Sequence, residues 1–180
     1  MIEAVRQRFA ARDVRAAIAA RTARTMPARL PERSVMVVLP ADEPGQRAAW
    51  AWIDGLDLRE GQIAPVLVGE RVEYVPDRWA GAVRVIGEGE RDWRRLPNAA
   101  ARQSVWTQRP DVAVDLAEPG DLGAALLVGA SPAAVRIGRW APGREDAFDL
   151  MVQGEPEAVA AIDALGRLLR QIQPPILPLR

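Results

Sequence analysis

The sequence of 180 residues contains no histidine and no cysteine, and all 24 of its basic residues are arginine, so lysine is absent as well. These absences exclude several kinds of site from the chain. Zinc sites built from cysteine and histidine, haem ligation, disulfides and Cys–His or Ser–His–Asp catalysis all need residues that it lacks. A Schiff-base lysine and a phosphate-loop lysine are excluded in the same way. Proton transfer is therefore left to aspartate, glutamate and the single tyrosine, Tyr74.

The charge balance and hydropathy give no sign of a global attraction to nucleic acid or lipid, or of a membrane segment. The 24 acidic residues cancel the arginines, so no overall field draws the chain to nucleic acid or to anionic lipid. No apolar run approaches the ~20 residues that span a bilayer, and the N-terminus lacks the apolar core of a signal peptide. Arginine without lysine, in a chain rich in alanine, glycine and proline, is typical of a GC-rich genome. We therefore expect a bacterial protein located in the cytoplasm, without a membrane segment.

Alternating strand and helix patterns predict the fold class. Residues 34–40 and 111–117 are continuous in apolar side chains, which is typical of strands buried on both faces of a parallel sheet. We predict further strands at 62–68, 82–86, 133–138 and 148–152, a short extended piece at 72–75, and helices at 44–56, 97–108, 122–130 and 156–171. This order predicts a three-layer, Rossmann-like α/β domain with a mostly parallel sheet, in which 34–40 and 111–117 are central neighbours. Within 62–68, Pro65 indicates an edge strand or a bulge.

An additional helix is predicted at residues 3–25, ahead of the first strand. Residues 1–33 carry eight arginines, and we divide the chain into this basic helix and linker, the α/β domain at 34–172 and a proline-rich tail at 173–180. The apolar stripe of the helix (Val5, Phe9 and Ile18) is narrow, so we expect the core to stay folded when residues 1–26 are deleted. The arginines either form a solvated face or contact an RNA or an acidic protein.

Acidic residues follow the two central strands. Asp42 and Glu43 come after the first, and Asp115 and Glu118 lie at the end of the other. Ligands of open parallel sheets bind outside the carboxyl ends of the strands, so these four are the candidate ligand-binding residues, with a magnesium site or an acid/base pair as one interpretation. The other interpretation, which we favour, is capping of the following helices, with Asp121 as a further N-cap. We assign no catalytic residue, metal or cofactor.

Tryptophan beside arginine indicates a second candidate surface. Trp79, Trp93 and Trp140 lie in predicted loops next to arginines, and with Arg139 they are candidates for a partner surface. By contrast, Trp50 and Trp106 lie on predicted helices and are expected in the core. A dinucleotide-binding glycine motif is absent, because the sequence GEGE at 87–90 lacks the third glycine and the following helix.

Two resemblances follow from the motifs of the chain. The segments RDWRRL and RPDVAVDLAEPGDLGAALLVGASPAAVRIGR resemble the N-terminal, acceptor-side half of heptosyltransferase-type GT-B glycosyltransferases. Over its whole length, through VMVVLPADE, DRWAG, VRIGRW and FDLMV, the chain is similar to a small family of unknown function found mainly in Bacteroidota. The resemblances imply a Rossmann-like fold and no established activity.

The function expected from these observations is a non-catalytic binding or interaction module. The alternative is a glycosyltransferase-like or nucleotide-sugar-related enzyme that acts with a separate donor domain. An enzyme requires a crevice in which the candidate carboxylates converge, whereas a binding module requires only capped loops and a contact surface.

Overall fold

The computed structural model describes residues 2–21, 34–56, 58–70, 72–153, 160, 162–165 and 167. Within them, six strands form one sheet in the order β3-β2-β1-β4-β5-β6, and every neighbouring pair is parallel. The strands are β1 (Val35–Val38), β2 (Ile63–Val68), β3 (Arg84–Ile86), β4 (Val112–Asp115), β5 (Val135–Arg139) and β6 (Leu150–Val152). The helices are α1 (Ile2–Ala19), α2 (Glu43–Asp54), α3 (Ala99–Trp106) and α4 (Leu122–Gly129).

The predicted fold class is confirmed. Strands β1 and β4 are central neighbours, with Val37 opposite Val114, and the strand order is that of a doubly wound Rossmann-type sheet. Residues 160, 162–165 and 167 are helical, inside the predicted closing helix. The linker at 22–33, the rest of the closing helix and the tail at 173–180 lie outside the described residues.

Alternation along the strands divides the core between the two faces of the sheet. Met36 and Val38 of β1 pack in one cluster with side chains of α1, α3 and α4. Val35 and Val37 pack in the other with α2 and with Ile162 of the closing helix. Because successive strand residues point to opposite faces, a strand buried on both sides reads as a continuous apolar run. This pattern made β1 and β4 recognisable.

The prediction that Pro65 marks an edge strand or a bulge is wrong, because β2 lies between β1 and β3. The Val66 carbonyl accepts the amide of Leu39, which follows β1, at 2.8 Å, and the Gly69 amide donates to Ile86 of β3 at 3.2 Å. Pro65 lies four positions before Gly69, and residues an even number of positions apart along a strand point their backbone nitrogens to the same side. The nitrogen of Pro65 therefore faces β3. Strand β3 pairs with β2 only from Val66 onward. Pro65 has no partner strand on that side, so its missing N–H does not cost the sheet a hydrogen bond.

Residues 72–75, predicted as extended, form no strand and are instead held by side chains of α2. The Gln46 side chain, fully buried, accepts hydrogen bonds from the amides of Glu73 and Tyr74 at 3.0 and 2.8 Å. Its amide group donates to the carbonyls of Pro40 and Ala41, both at 3.2 Å. One glutamine thus joins the loop after β1 to the loop after β2. Burial of its polar atoms is tolerated because each of them is hydrogen-bonded.

Helix α1 packs on α4, which in turn contacts the sheet. Its buried side chains are Ala10, Val14 and Ile18, one turn apart, whereas the predicted stripe residues Val5 and Phe9 are 47 and 45% exposed. Every residue of α4 from 123 to 129 is buried, so α1 covers a helix that is apolar on all sides. The packing of α1 on α4 changes what we expect of a protein without residues 1–26, because removal of α1 uncovers apolar side chains of α4.

An arginine ties the end of α1 to the domain. The Arg21 guanidinium donates to the carbonyls of Gly129, Asp146 and Ala147 at 3.1–3.3 Å and lies 3.4 Å from the carboxylate of Asp149. Gly129 is the last residue of α4, whose final carbonyls have no partner within the helix. Arg21 is therefore a structural residue and not part of a solvated basic face.

Candidate functional site

Three pockets lie at the end of the sheet where the parallel strands terminate. The first, of about 540 Å³, lies between α1, the loop after β3 and the start of α4. We call it the arginine pocket; it is lined by Glu3, Arg6, Gln7, Ala10, Ala11, Val68, Arg91, Arg94, Arg95, Leu96, Gly120, Asp121, Leu122 and Gly123. The second, of about 420 Å³, adjoins it through Arg6, Arg91 and Arg95. The third, of about 390 Å³, is lined by Ala41, Leu67, Gly69, Glu70 and Glu73.

The candidate carboxylates Asp42 and Glu43 both act locally at the start of α2. Asp42 is the N-cap, and its carboxylate accepts the Gly45 amide at 2.8 Å. Glu43 is paired with Arg47 one turn later, at 2.7 Å, and both side chains are half-exposed. Such a pair adds a few tenths of a kcal/mol to a helix. The capping interpretation accounts for both residues.

The candidate Asp115, at the end of β4, is 1% exposed and fully engaged. One carboxylate oxygen accepts the amide of Ala117 at 3.0 Å, and the other accepts a guanidinium N–H of Arg144 at 2.5 Å. Burial raises the pKa of the Asp115 carboxyl to about 6, although the positive charge of Arg144 opposes the shift. Arg144 also donates to the Pro119 carbonyl at 2.8 Å. The pair therefore fixes the loop after β4.

Glu118, the fourth candidate, is 59% exposed and lies 3.5 Å from Arg139, which is 7% exposed. None of the four carboxylates lines any of the three pockets described above. The structure thus places them at the carboxyl end of the sheet, as predicted, but does not gather them around a pocket there. In the part of the chain that the structure describes, no group of three acidic side chains is arranged to hold a metal ion.

The candidate partner surface is divided between the core and the exterior. Trp79 is 3% exposed, stacks on Trp50 with ring centroids 5.6 Å apart, and donates its N–H to Asp54 at 3.2 Å. Arg139 is 6% exposed. These two residues are core, which corrects their assignment to a surface, whereas Trp93 and Trp140 are 64 and 38% exposed. The expected core residue Trp50 is buried, and Trp106 is partly buried with its N–H on the Leu127 carbonyl.

Trp93 belongs to a tight hairpin loop that sequence reasoning missed. Arg91 and Pro97 form an antiparallel bridge, the Asp92 amide donates to Leu96, and the Arg95 amide donates back to Asp92. The Asp92 carboxylate accepts the amides of Arg94 and Leu96 at 2.8 and 3.2 Å and pairs with the Arg94 guanidinium at 2.6 Å. Aspartate at the first position of a turn was the available sequence signal.

Arg95 has a left-handed backbone, with φ of 64°. It occupies the position after a reverse turn in a three-residue hairpin loop, where glycine is the usual residue. A non-glycine residue in this region costs roughly 1–2 kcal/mol. Arg95 takes part in the hydrogen bonding of the loop through its backbone, and its side chain lines the pocket. Arg109 is the other described non-glycine residue with a positive φ.

The arginine pocket combines four guanidinium groups with two carboxylates. Glu3 is already paired with Arg6, and the Asp121 carboxylate accepts the amides of Gly123 and Ala124 at the start of α4. Arg91 and Arg95 form no ion pair within the residues that the structure describes. Glu3 also interacts electrostatically with Arg95, but the arginines of the lining outnumber its carboxylates. The pocket therefore has an excess of positive charge, which suits a phosphate or a carboxylate.

Two contacts hold α1 against the hairpin loop, so the two walls of the pocket are joined. Arg94 forms an ion pair with Asp13 of α1. The Phe9 and Trp93 rings meet edge to face, with centroids 6.0 Å apart and an interplanar angle of 61°. Guanidinium groups from both walls are thereby positioned before any ligand enters. Pre-organisation of this kind reduces the entropic cost of binding.

The comparisons with known proteins add no identity to this geometry. No protein-family model matches the chain, and no curated protein matches it. The resemblances to the GT-B half and to the Bacteroidota family thus stay predictions. Among the described residues, no helix has the length and apolar character needed to cross a membrane.

Proposed function

We propose that this chain is a non-catalytic binding module that holds an anionic group in the arginine pocket. The carrying observation is the placement of Arg95, which keeps a left-handed backbone in a hairpin loop and lines the pocket together with Arg6 and Arg91. The position of the pocket supports the proposal, because ligands of this sheet topology bind outside the carboxyl ends of the strands. Its volume also lies within the range of small-molecule sites.

Among the described residues that line the arginine pocket, no acid or base is poised for catalysis, which favours binding. Glu3 and Asp121, the carboxylates of the arginine pocket, are held by Arg6 and by backbone amides. The carboxyl with a raised pKa, Asp115, is engaged by Arg144 and lines none of the pockets described. The alternative of a glycosyltransferase-like or nucleotide-sugar-related enzyme with a separate donor domain is supported by the strand order alone.

Titration calorimetry with pyrophosphate tests the proposal. We expect Arg91→Gln and Arg95→Gln each to weaken binding roughly tenfold or more, because each removes one charge-assisted hydrogen bond. Arg59→Gln is the matched control, since Arg59 precedes β2 at the opposite end of the sheet and is exposed. The proposal fails if pyrophosphate does not bind, or if the control weakens binding as much as the pocket variants do.

We further propose that a macromolecular partner contacts the basic face of α1. Arg6 and Arg21 are engaged within the domain, so the contact falls to Arg8, Arg12 and Arg15, which are exposed. The sequence leaves an acidic protein and RNA as alternatives for this partner.

A further inference from the structure

We propose that the anionic group held in the arginine pocket belongs to a single-stranded nucleic acid, whose bases stack on Trp93. This inference rests on the proposed function and names the class of ligand. It is drawn from one continuous surface, the aromatic–arginine face, which consists of Arg8, Phe9 and Arg12 of α1 with Trp93 and Arg95 of the hairpin loop.

The aromatic part of this face is unusually exposed. Trp93 is 64% exposed and Phe9 is 45% exposed, although large aromatic side chains are normally buried. Their interplanar angle of 61° means that the two rings are not stacked on each other. The Trp50–Trp79 pair in the core, by contrast, is stacked, with an interplanar angle of 25°. The Arg94 guanidinium lies over the Trp93 ring, 5.7 Å from its centroid, and the exposed remainder of the two rings is open to a ligand.

The charged part of the face lies on α1 and in the hairpin loop. Arg8 and Arg12 are one helical turn apart and lie on the same side of Phe9 along α1, and Arg95 lines the second pocket beside Trp93. Within the described part of the chain, Arg8, Arg12 and Arg95 form no ion pair. The nearby acids Asp13 and Asp92 are both bound to Arg94.

Acidic residues of the second pocket limit where a phosphate backbone can lie. Glu70 and Glu88 line the second pocket together with its arginines and are exposed. They repel phosphate, so a backbone is directed along α1 and into the arginine pocket. A positively charged groove beside stacking aromatic rings is the recognition mode of proteins that bind single strands without sequence preference.

The combination favours a nucleic acid strand over the other anions. An acidic peptide uses the arginines and has no flat ring for Trp93. A free nucleotide can occupy the pocket and the indole, yet leaves Arg8 and Arg12 without a ligand. A strand of several nucleotides can stack a base on Trp93 and place phosphates both at Arg8 and Arg12 and in the arginine pocket.

Fluorescence anisotropy with labelled twelve-residue oligouridylate and oligothymidylate tests the inference on the full chain. We expect Trp93→Ala to weaken binding about 5- to 150-fold, the range for loss of one stacked base. Trp140→Ala is the matched control and should leave the affinity unchanged, because Trp140 is also exposed but lines neither the arginine pocket nor the second pocket. Arg12→Gln should flatten the salt dependence of binding by about 0.7 in log–log slope. A difference in affinity between oligouridylate and oligothymidylate shows whether the protein prefers RNA or DNA.

The failure of this inference is distinguishable from failure of the proposed function. If pyrophosphate binds and neither oligonucleotide does, the anion site stands and the nucleic acid is excluded. The inference is also overturned if uridine monophosphate binds as tightly as the twelve-residue strand. The inference is overturned in favour of an acidic protein if polyglutamate binds as tightly as the oligonucleotides and Trp93→Ala does not weaken the binding of either. Thermal melts of each variant confirm that the fold is retained, which the exposure of Trp93 leads us to expect.

Discussion

Arg144 donates a hydrogen bond of 2.5 Å to the carboxylate of Asp115, across 29 positions of sequence, and both side chains are buried. Asp115 ends a central strand, and Arg144 lies in the loop between β5 and β6. The pair ties that loop to the loop after β4, where Arg144 also binds the Pro119 carbonyl. An acidic residue that the sequence suggests for ligand binding is thus an internal structural group.

The stability of the protein should depend on pH through Asp115. Its pKa is about 6 in the folded chain against 3.8 as the ordinary value, so the folded state keeps the proton to higher pH than the unfolded state does. Protonated Asp115 therefore adds to the free energy of unfolding below pH 3.8. This contribution, about 3 kcal/mol in all, is lost as pH rises through about 6. Above that window it is constant.

Arg144→Gln should destabilise the protein more at pH 8 than at pH 5. Arg144 opposes the rise of the Asp115 pKa, so its loss raises that pKa further and leaves a buried charge without a partner at high pH. We expect a loss on the order of 3 kcal/mol at pH 8, measured by urea unfolding. Arg47→Gln, at the exposed pair with Glu43, should cost less than about 1 kcal/mol at both values. Equal losses for Arg144→Gln at the two pH values would contradict this role.

Helix α1 should prove necessary for the stability of the domain. Ile18→Ala removes a buried side chain between α1 and α4 and should cost roughly 2–4 kcal/mol. Phe9→Ala, at a half-exposed position of the same helix, removes only the ring contact with Trp93 and should cost less than Ile18→Ala, about 0.5–1.5 kcal/mol. Deletion of residues 1–26 should lower the melting temperature sharply or cause aggregation. A truncated protein that melts like the full chain would show that α4 needs no cover.

Trp79 should behave as a core residue despite its position in a loop. Trp79→Ala removes the stack on Trp50 and the hydrogen bond to Asp54 and should cost about 3–5 kcal/mol. Trp140→Ala serves as the control and should have little effect on denaturant unfolding, because Trp140 is 38% exposed. The assignment of Trp79 to the core is wrong if the two variants unfold at the same urea concentration.

The strands were predictable because burial on both faces leaves a direct trace in the sequence. Val37 and Val114 belong to apolar runs long enough to identify two central strands, and their pairing follows from the topology. The caps Asp42 and Asp121 were predictable as well, since each precedes a helix and binds its first amides. These features depend on neighbours in sequence.

The arginine pocket was not predictable, because it depends on contacts between distant segments. The buried face of α1 is set by packing on α4, and the sequence pattern suggested Val5 and Phe9 as stripe residues, which the structure leaves exposed. The left-handed backbone of Arg95 is likewise a consequence of the hairpin, in a position where glycine would have been the recognisable signal. Charged residues that line a pocket and those that face solvent look alike in sequence.

Pyrophosphate titration of Arg95→Gly, combined with urea unfolding of the same variant, is the decisive test of anion binding by the arginine pocket. Glycine relieves the left-handed backbone, so stability should rise by roughly 0.5–1 kcal/mol after the larger entropy of its unfolded chain is subtracted. The same substitution removes one guanidinium from the arginine pocket, so affinity should fall roughly tenfold or more. We therefore predict a more stable protein with weaker binding. A variant that gains stability and binds pyrophosphate as tightly as the natural chain would contradict the assignment of this pocket as the anion site.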